Sequence, residues 1–151
     1  PVPFVNRFDL FGFFDGHCSA HGVFEDRFGK LRRQFKVQIR GEVNGDLLSL
    51  TEDFIYGDGT EEQRIWTIYR KDDGSYRGSA LDVLGTAIGC VDKNSVFWRY
   101  RMNLFVAGRA WSVRFDDKMY LLDSQLMLNR AKVSKWGLAL GTVSIVFIKS
   151  P

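Results

Sequence analysis

The segment from Arg33 to Val43 places Phe35, Val37 and Ile39 on one face of an extended chain, and Gln34, Lys36, Gln38, Arg40 and Glu42 on the other. Alternation with a period of two marks a strand with one dry and one wet face, because successive side chains of a strand point to opposite sides. The same pattern returns in Leu48, Leu50, Phe54 and Tyr56, in Trp66 and Ile68, in Trp98, Tyr100, Met102 and Leu104, and in Trp111, Val113, Phe115 and Met119. A chain built this way has to fold as a sheet that is buried on one side.

Turn chemistry separates these runs. Asp26-Arg27-Phe28-Gly29, Asn44-Gly45, Gly57-Asp58-Gly59, Asp72-Asp73-Gly74, Asp92-Lys93-Asn94, Ala107-Gly108 and Asp123-Ser124 carry the residues that tight hairpins need for positive φ angles. A flat sheet of so many one-faced strands would leave two open edges, and closure into a barrel removes both. The predicted fold is all-β: one closed antiparallel up-and-down barrel of about 9–10 strands, lipocalin-like, with residues 1–151 as a single domain. Asp9 is expected to cap a short helical turn from Leu10 to Phe14 whose aromatics plug one end of the barrel. Ser134-Lys135-Trp136-Gly137 reads as a loop or bend before a last strand from Leu138 to Lys149.

The 13 Phe, 5 Tyr and 4 Trp favour strands and an aromatic-lined interior. The net charge of +3 is spread among alternating acids and bases, so no nucleic-acid partner is expected. No apolar run approaches the roughly 20 residues of a membrane helix. The start, Pro1-Val2-Pro3-Phe4, has neither an initiator Met nor a signal pattern and reads as trimmed, which leaves the cell envelope, the periplasm and the cytoplasm all open as locations. With two cysteines, Cys18 and Cys90, and two histidines, a zinc cluster is not expected. Two unlinked buried thiols are the expectation, with no metal and no cofactor.

Hairpin loops also set the register. Asn44-Gly45 as a two-residue loop sets Phe35 opposite Phe54, Val37 opposite Glu52 and Ile39 opposite Leu50. Gly57-Asp58-Gly59 sets Leu48 opposite Ile68, Leu50 opposite Trp66 and Glu52 opposite Arg64. Ala107-Gly108 sets Leu104 opposite Trp111, Met102 opposite Val113, Tyr100 opposite Phe115 and Trp98 opposite Asp117, and Asp123-Ser124 then brings Arg130 opposite Asp117. Four ionisable groups thus fall on the aromatic faces as two opposed pairs, as buried charges require. They read either as structural salt bridges or as the polar floor of a pocket. The candidate ligand-binding residues are Glu52, Arg64, Trp66, Trp98, Tyr100, Trp111, Phe115, Asp117 and Arg130.

Other signals point away from familiar chemistry. The carboxylates of Glu52-Asp53 and of Asp116-Asp117 project to opposite sides of a strand and do not converge. His17 and His21 share a face with Ser19, read as solvated, and no catalytic residues are assigned. No phosphate-binding glycine loop, nucleophile elbow or dinucleotide fingerprint is present. Gly85 and Gly89 lie inside an alternating run, where glycine relieves crowding or permits curvature. Arg32, Arg33, Lys36 and Arg40 form a modest basic face, solvated by default, with an anionic membrane surface as the alternative.

The motifs Gly22-Val23-Phe24-Glu25-Asp26-Arg27-Phe28-Gly29, Glu52-Asp53-Phe54, Trp98-Arg99-Tyr100, Phe115-Asp116-Asp117, Leu128-Asn129-Arg130-Ala131 and Ser134-Lys135-Trp136-Gly137 occur in an order and spacing that resembles the bacterial family known as domain of unknown function 3833 (DUF3833). The resemblance runs from about Phe8 to Lys149 and implies a small lipocalin-like protein, sometimes made as a lipoprotein, with no catalytic residues to carry over. This chain has Lys118 where relatives often carry Trp, and Gly12-Phe13-Phe14 only loosely matches the Gly-x-Trp start of lipocalins.

Three functions fit these features. The first is a binding module that holds a small hydrophobic or fatty-acid-like ligand in the barrel, with Arg64 or Arg130 meeting a carboxylate. The second is an isomerase or cyclase acting on a hydrophobic substrate, with Glu52 or Asp117 as acid or base. The third is a filled barrel that acts through its outer face in the envelope.

Overall fold

The computed structural model describes residues 7–106 and 108–151. Pro1-Val2-Pro3-Phe4 and Ala107, on which the trimmed start and part of one hairpin loop were read, lie outside them. A five-residue helix, α1 (Leu10–Phe14), precedes ten strands: β1 (Gly16–Asp26), β2 (Leu31–Asn44), β3 (Leu47–Tyr56), β4 (Glu61–Arg70), β5 (Tyr76–Ser79), β6 (Val83–Asp92), β7 (Ser95–Val106), β8 (Arg109–Asp123), β9 (Leu126–Lys135) and β10 (Leu138–Lys149). Each strand pairs antiparallel with its neighbours in sequence, and β10 returns to β1, so the sheet closes with no free edge. The expected up-and-down barrel is the fold.

The helix closes one end. The Asp9 side chain accepts a hydrogen bond from the Gly12 amide at 3.0 Å and caps α1, whose Leu10, Phe11, Phe13 and Phe14 are all buried. Phe14 packs edge-on against Phe147 and Phe11 stacks on Tyr76, so the plug is seated on opposite walls. Lys149 Nζ donates to the carbonyls of Phe13 and Asp15, 2.7 Å each, and satisfies two acceptors at the helix C-terminus. The seat requires a glycine at position 41, because a Cβ there would lie 1.7 Å from the Phe14 carbonyl oxygen. The hairpin tips β1–β2, β3–β4, β5–β6, β7–β8 and β9–β10 ring the opposite end, which is the mouth.

Two hairpins set the expected register: Glu52 faces Arg64, and Trp98 faces Asp117. Two others differ. The β2–β3 loop is Gly45-Asp46, not Asn44-Gly45, so Phe35 faces Tyr56, Val37 faces Phe54 and Ile39 faces Glu52. A slip of two residues keeps every side chain on its own face, and Glu52 stays inside. The β8–β9 loop is Ser124-Gln125, not Asp123-Ser124, and a bulge between Leu121 and Asp123 then leaves the pairing one residue away from the expected one, which reverses the faces. Asp117 therefore faces Ala131, while Arg130 faces Lys118 and is exposed on the outer wall. An unanticipated turn at Leu81-Asp82 separates β5 from β6. Gly85, at φ 71°, sits where β6 departs from regular pairing with β7. The expectation of two buried thiols fails for Cys90: Cys18 is buried, Cys90 is exposed, and both are free.

Candidate functional site

The inner wall divides into two packed clusters. One fills the plugged end and middle of the barrel, with Leu10, Phe14, Ile39, Leu48, Trp98 and Met127 among its members. The other, on β6 to β9 nearer the mouth, contains Val83, Met102, Val113, Phe115, Ala131 and Val133. Trp66, Tyr100 and Val143 pack against both clusters and are only partly buried. They mark the seam between the two cores, and the ionisable groups of the interior border that seam.

Glycines make room for the large rings. A Cβ at Gly89 would lie 3.0 Å from the Trp98 indole, and one at Gly22 would lie 2.3 Å from the Phe35 ring. Trp66 meets Tyr100 edge-on with centroids 5.5 Å apart, and Tyr100 stacks on Phe115 at 5.2 Å and 4°. Offset and edge-on pairs of this kind hold ring orientations beyond what area burial alone provides.

Asp117 is 7% exposed. The Tyr100 hydroxyl donates to its Oδ2 at 2.9 Å, while among the described residues Oδ1 has no partner, and neither does the buried Oδ1 of Asn129. Burial pushes the Asp117 carboxyl up to about 7, against the Tyr100 hydrogen bond and the nearby Asn129 amide, which favour ionisation; Asp116 adds a smaller upward push. Asn129 gives that help from nearby, while the well-aligned side-chain hydrogen bond to the carboxylate comes from Tyr100. The Tyr100 hydroxyl is raised well above its ordinary value, by burial first and then by Asp117.

Glu52 is partly buried on the inner face of β3. Burial raises its carboxyl to about 7, while the Arg64 charge and the Trp66 indole pull the other way. Glu52 and Arg64 face each other in register, but the guanidinium turns towards the mouth. Arg64 Nη2 lies 2.8 Å from Asp82 Oδ2 and 3.1 Å from Glu62 Oε1, and Nε donates to Asp82 Oδ2 at 2.9 Å. Burial works against the Arg64 charge, but the Asp82 hydrogen bond and the charges of Glu52, Asp82 and Glu62 outweigh it and raise its pKa. Tyr56 donates to Glu62 Oε2 at 2.9 Å, and Arg33 lies 3.6 Å over the Tyr56 ring, which extends this polar network along one side of the mouth.

Eight of the nine predicted site residues project from the inner face: Glu52, Arg64, Trp66, Trp98, Tyr100, Phe115 and Asp117 inside the barrel, and Trp111 at the mouth, 39% exposed. Arg130 does not, because the bulge turns it outward, and the partner expected for Asp117 is replaced by Tyr100, with the Asn129 amide nearby. Sequence reasoning missed Asn129 and Asp82. Asn129 stands beside Arg130 in the Leu128-Asn129-Arg130-Ala131 motif, and the bulge across the hairpin that turns it inward has no sequence signal. Asp82 lies in the turn without glycine that was passed over. Two hollows of about 220 and 430 Å³ contain none of the nine. Among the described residues, no three His, Cys, Asp or Glu side chains gather as metal ligands.

A closed ten-stranded meander, plugged by a helix at one end and lined by aromatics around a few buried carboxyls, is a lipocalin-like barrel. More narrowly, the chain belongs to the DUF3833 family, proteins of unknown function, whose sequence pattern matches residues 5–149. Among solved structures it is similar to an S-type phycobiliprotein lyase from Guillardia theta, with a TM-score of 0.67 at 8% identity, covering 93% of this chain and 90% of that one. At that identity the likeness is one of fold. No curated protein sequence matches the chain.

Proposed function

We propose that the barrel binds a small hydrophobic molecule along the seam between its two cores, with the apolar body against Trp66 and Tyr100 and a hydrogen-bond donor on the guest facing Asp117 and Asn129. The observation that carries this reading is the pair of buried, unpartnered oxygens, Asp117 Oδ1 and Asn129 Oδ1, beside an aromatic wall that is only partly covered. Buried acceptors without partners are uncommon because each costs its full desolvation. A hydroxyl, amide or amine on a guest would satisfy them.

A carboxylate head group fits less well. Arg130 faces outward, and Arg64 already holds Asp82 and Glu62. The fatty-acid form of the ligand would need to displace one of those acids, whereas an alcohol or amine needs no such exchange. The Guillardia theta protein of similar fold is described as a lyase. Acid-base chemistry on a bound guest is therefore a second reading, supported by two inner carboxyls lifted to about 7, near the pH where general acids and bases work best.

The test titrates dodecanol, dodecylamine and dodecanoate at pH 8 against intrinsic tryptophan emission. The expected order has the alcohol and amine saturating ahead of the carboxylate, and Asn129→Leu weakening both. No saturable signal from any of the three up to roughly 100 μM, where even a modest site of about 5.5 kcal/mol responds, would assign the barrel a filled core.

A further inference from the structure

We propose that one arc of the barrel mouth, formed by the tips of β1–β2 and β9–β10 with β7–β8 beside them, docks on an anionic lipid bilayer. The inference stands apart from the lumen and holds whether or not a guest binds there.

The arc exposes large apolar side chains where a stable hairpin needs none. Phe28 is 81% exposed, Trp136 84% and Leu138 62%. Because β10 pairs with β1, and β9 with both β10 and β8, these tips are neighbours on the rim. Exposed cations stand among them: Arg27, Lys30 and Arg109, with Arg32 held by Asp26 at 2.7 Å. Two of the tip aromatics carry a cation over the ring, Arg27 at 4.8 Å from the centre of Phe28 and Lys135 Nζ at 4.5 Å from that of Trp136. Aromatic rings beside basic heads are the composition of a bilayer interface, where the ring lies at headgroup depth and the cation meets lipid phosphate. The mouth is polarised as well. The β3–β4 tip bears Asp58, Glu61 and Glu62, so an anionic surface attracts one arc and repels the other, which sets a tilt.

Trp136 supplies the second, independent observation. Trp136-Gly137 is a two-residue loop closed by the pairing of Lys135 with Leu138, and both loop residues have positive φ, 53° and 76°. Such a turn favours Asn at its first position, and a bulky residue in the left-handed region is unfavourable. A hairpin selected only for stability would not hold an indole there, almost wholly in solvent. An apolar lipid surface gives it a reason.

The experiment is co-sedimentation with phosphatidylcholine vesicles, with and without about one third phosphatidylglycerol. Association is expected only with the anionic vesicles and should weaken as salt rises through the range where the screening length falls below about 10 Å. Trp136→Asn should lower vesicle affinity at least about tenfold while leaving thermal stability unchanged or higher. Phe28→Ser should also weaken binding, whereas Lys36→Gln with Arg40→Gln, on the outer wall of β2, should leave most of it. Absence of association with the anionic vesicles overturns the proposal, as does association that both tip substitutions leave intact. A self-association lost in Trp136→Asn, without vesicle binding, would assign the arc to a second copy of the chain and overturn it equally.

Discussion

Tyr100 on β7 reaches diagonally to Asp117 on β8, whose direct register partner is Trp98, and its hydroxyl donates to Asp117 Oδ2 at 2.9 Å. The contact satisfies half of a carboxylate that has no cation beside it among the described residues. The protein thus holds an acid inside a barrel by one hydroxyl and leaves its second oxygen open.

That arrangement makes stability depend on pH through Asp117. Its carboxyl is raised from about 3.8 unfolded to about 7 folded, so between those values the folded chain binds more protons than the unfolded one. Its contribution is therefore fully present below about 3.8 and lost as pH rises through about 7. Glu52, raised from 4.5 to about 7, acts in nearly the same window with the same sign. Asp117→Asn keeps the Tyr100 hydrogen bond and removes the charge. The melting temperature of the variant relative to wild type should climb between pH 4 and 7 and level off above, as thermal melts across pH would read. A constant difference across that range would show that Asp117 is not a raised acid.

A second outcome concerns Arg64. Asp82 both raises the Glu52 pKa and holds the guanidinium away from Glu52. Asp82→Asn should free Arg64 to turn inward and bring the Glu52 pKa down, as followed by carbon NMR of the labelled carboxyl. A Glu52 titration that stays put or moves up would mean that Arg64 is fixed by something other than Asp82.

Alternation and turns made the architecture legible. Leu10–Phe14 as a capped plug, Leu138–Lys149 as the last strand, and the opposition of Glu52 with Arg64 were all readable, the last because a loop residue such as Gly59 carries the positive φ that fixes a hairpin. The inner carboxyls were legible for the same reason. Arg130 was not, since a bulge between Leu121 and Asp123 leaves no mark in an alternating run whose apolar residues sit on both parities, and one extra residue exchanges the faces. Nor was the direction of the Arg64 side chain: register fixes which face a residue occupies, but Asp82, eighteen positions on in a turn without glycine, decides where its guanidinium goes.

The plug offers a third test. Gly41 allows the Phe14 carbonyl to approach to within 1.7 Å of where a Cβ would lie, and the obstacle is backbone, which cannot rotate aside. Gly41→Ala should cost about 1–3 kcal/mol through displacement of α1 while the far-UV strand signal persists. Loss of stability should be accompanied by faster amide exchange at Phe14 and Asp15. An unchanged melting temperature would mean that the helix shifts freely on its seat.

The last test separates two adjacent residues on opposite faces of β9, and the bulge decides which of them faces inward. Arg130 lies on the exposed wall opposite Lys118, so Arg130→Met should change stability by no more than about 0.5 kcal/mol, the usual range for surface substitutions, and should leave the Asp117 titration where it is. Asn129 is 6% exposed, and its amide favours ionisation of Asp117. Asn129→Leu removes that help and replaces a polar group with apolar bulk, so the Asp117 pKa should rise further above about 7. Because the leucine also eliminates an unpartnered oxygen, stability at pH 5, where Asp117 is protonated, should hold or improve, and the cost should emerge only above pH 7. Carboxyl NMR titration of the two variants reads both effects. A strong loss of stability in Arg130→Met with an Asp117 pKa that climbs would restore the register expected from an Asp123-Ser124 loop, in which Arg130 is the partner of Asp117.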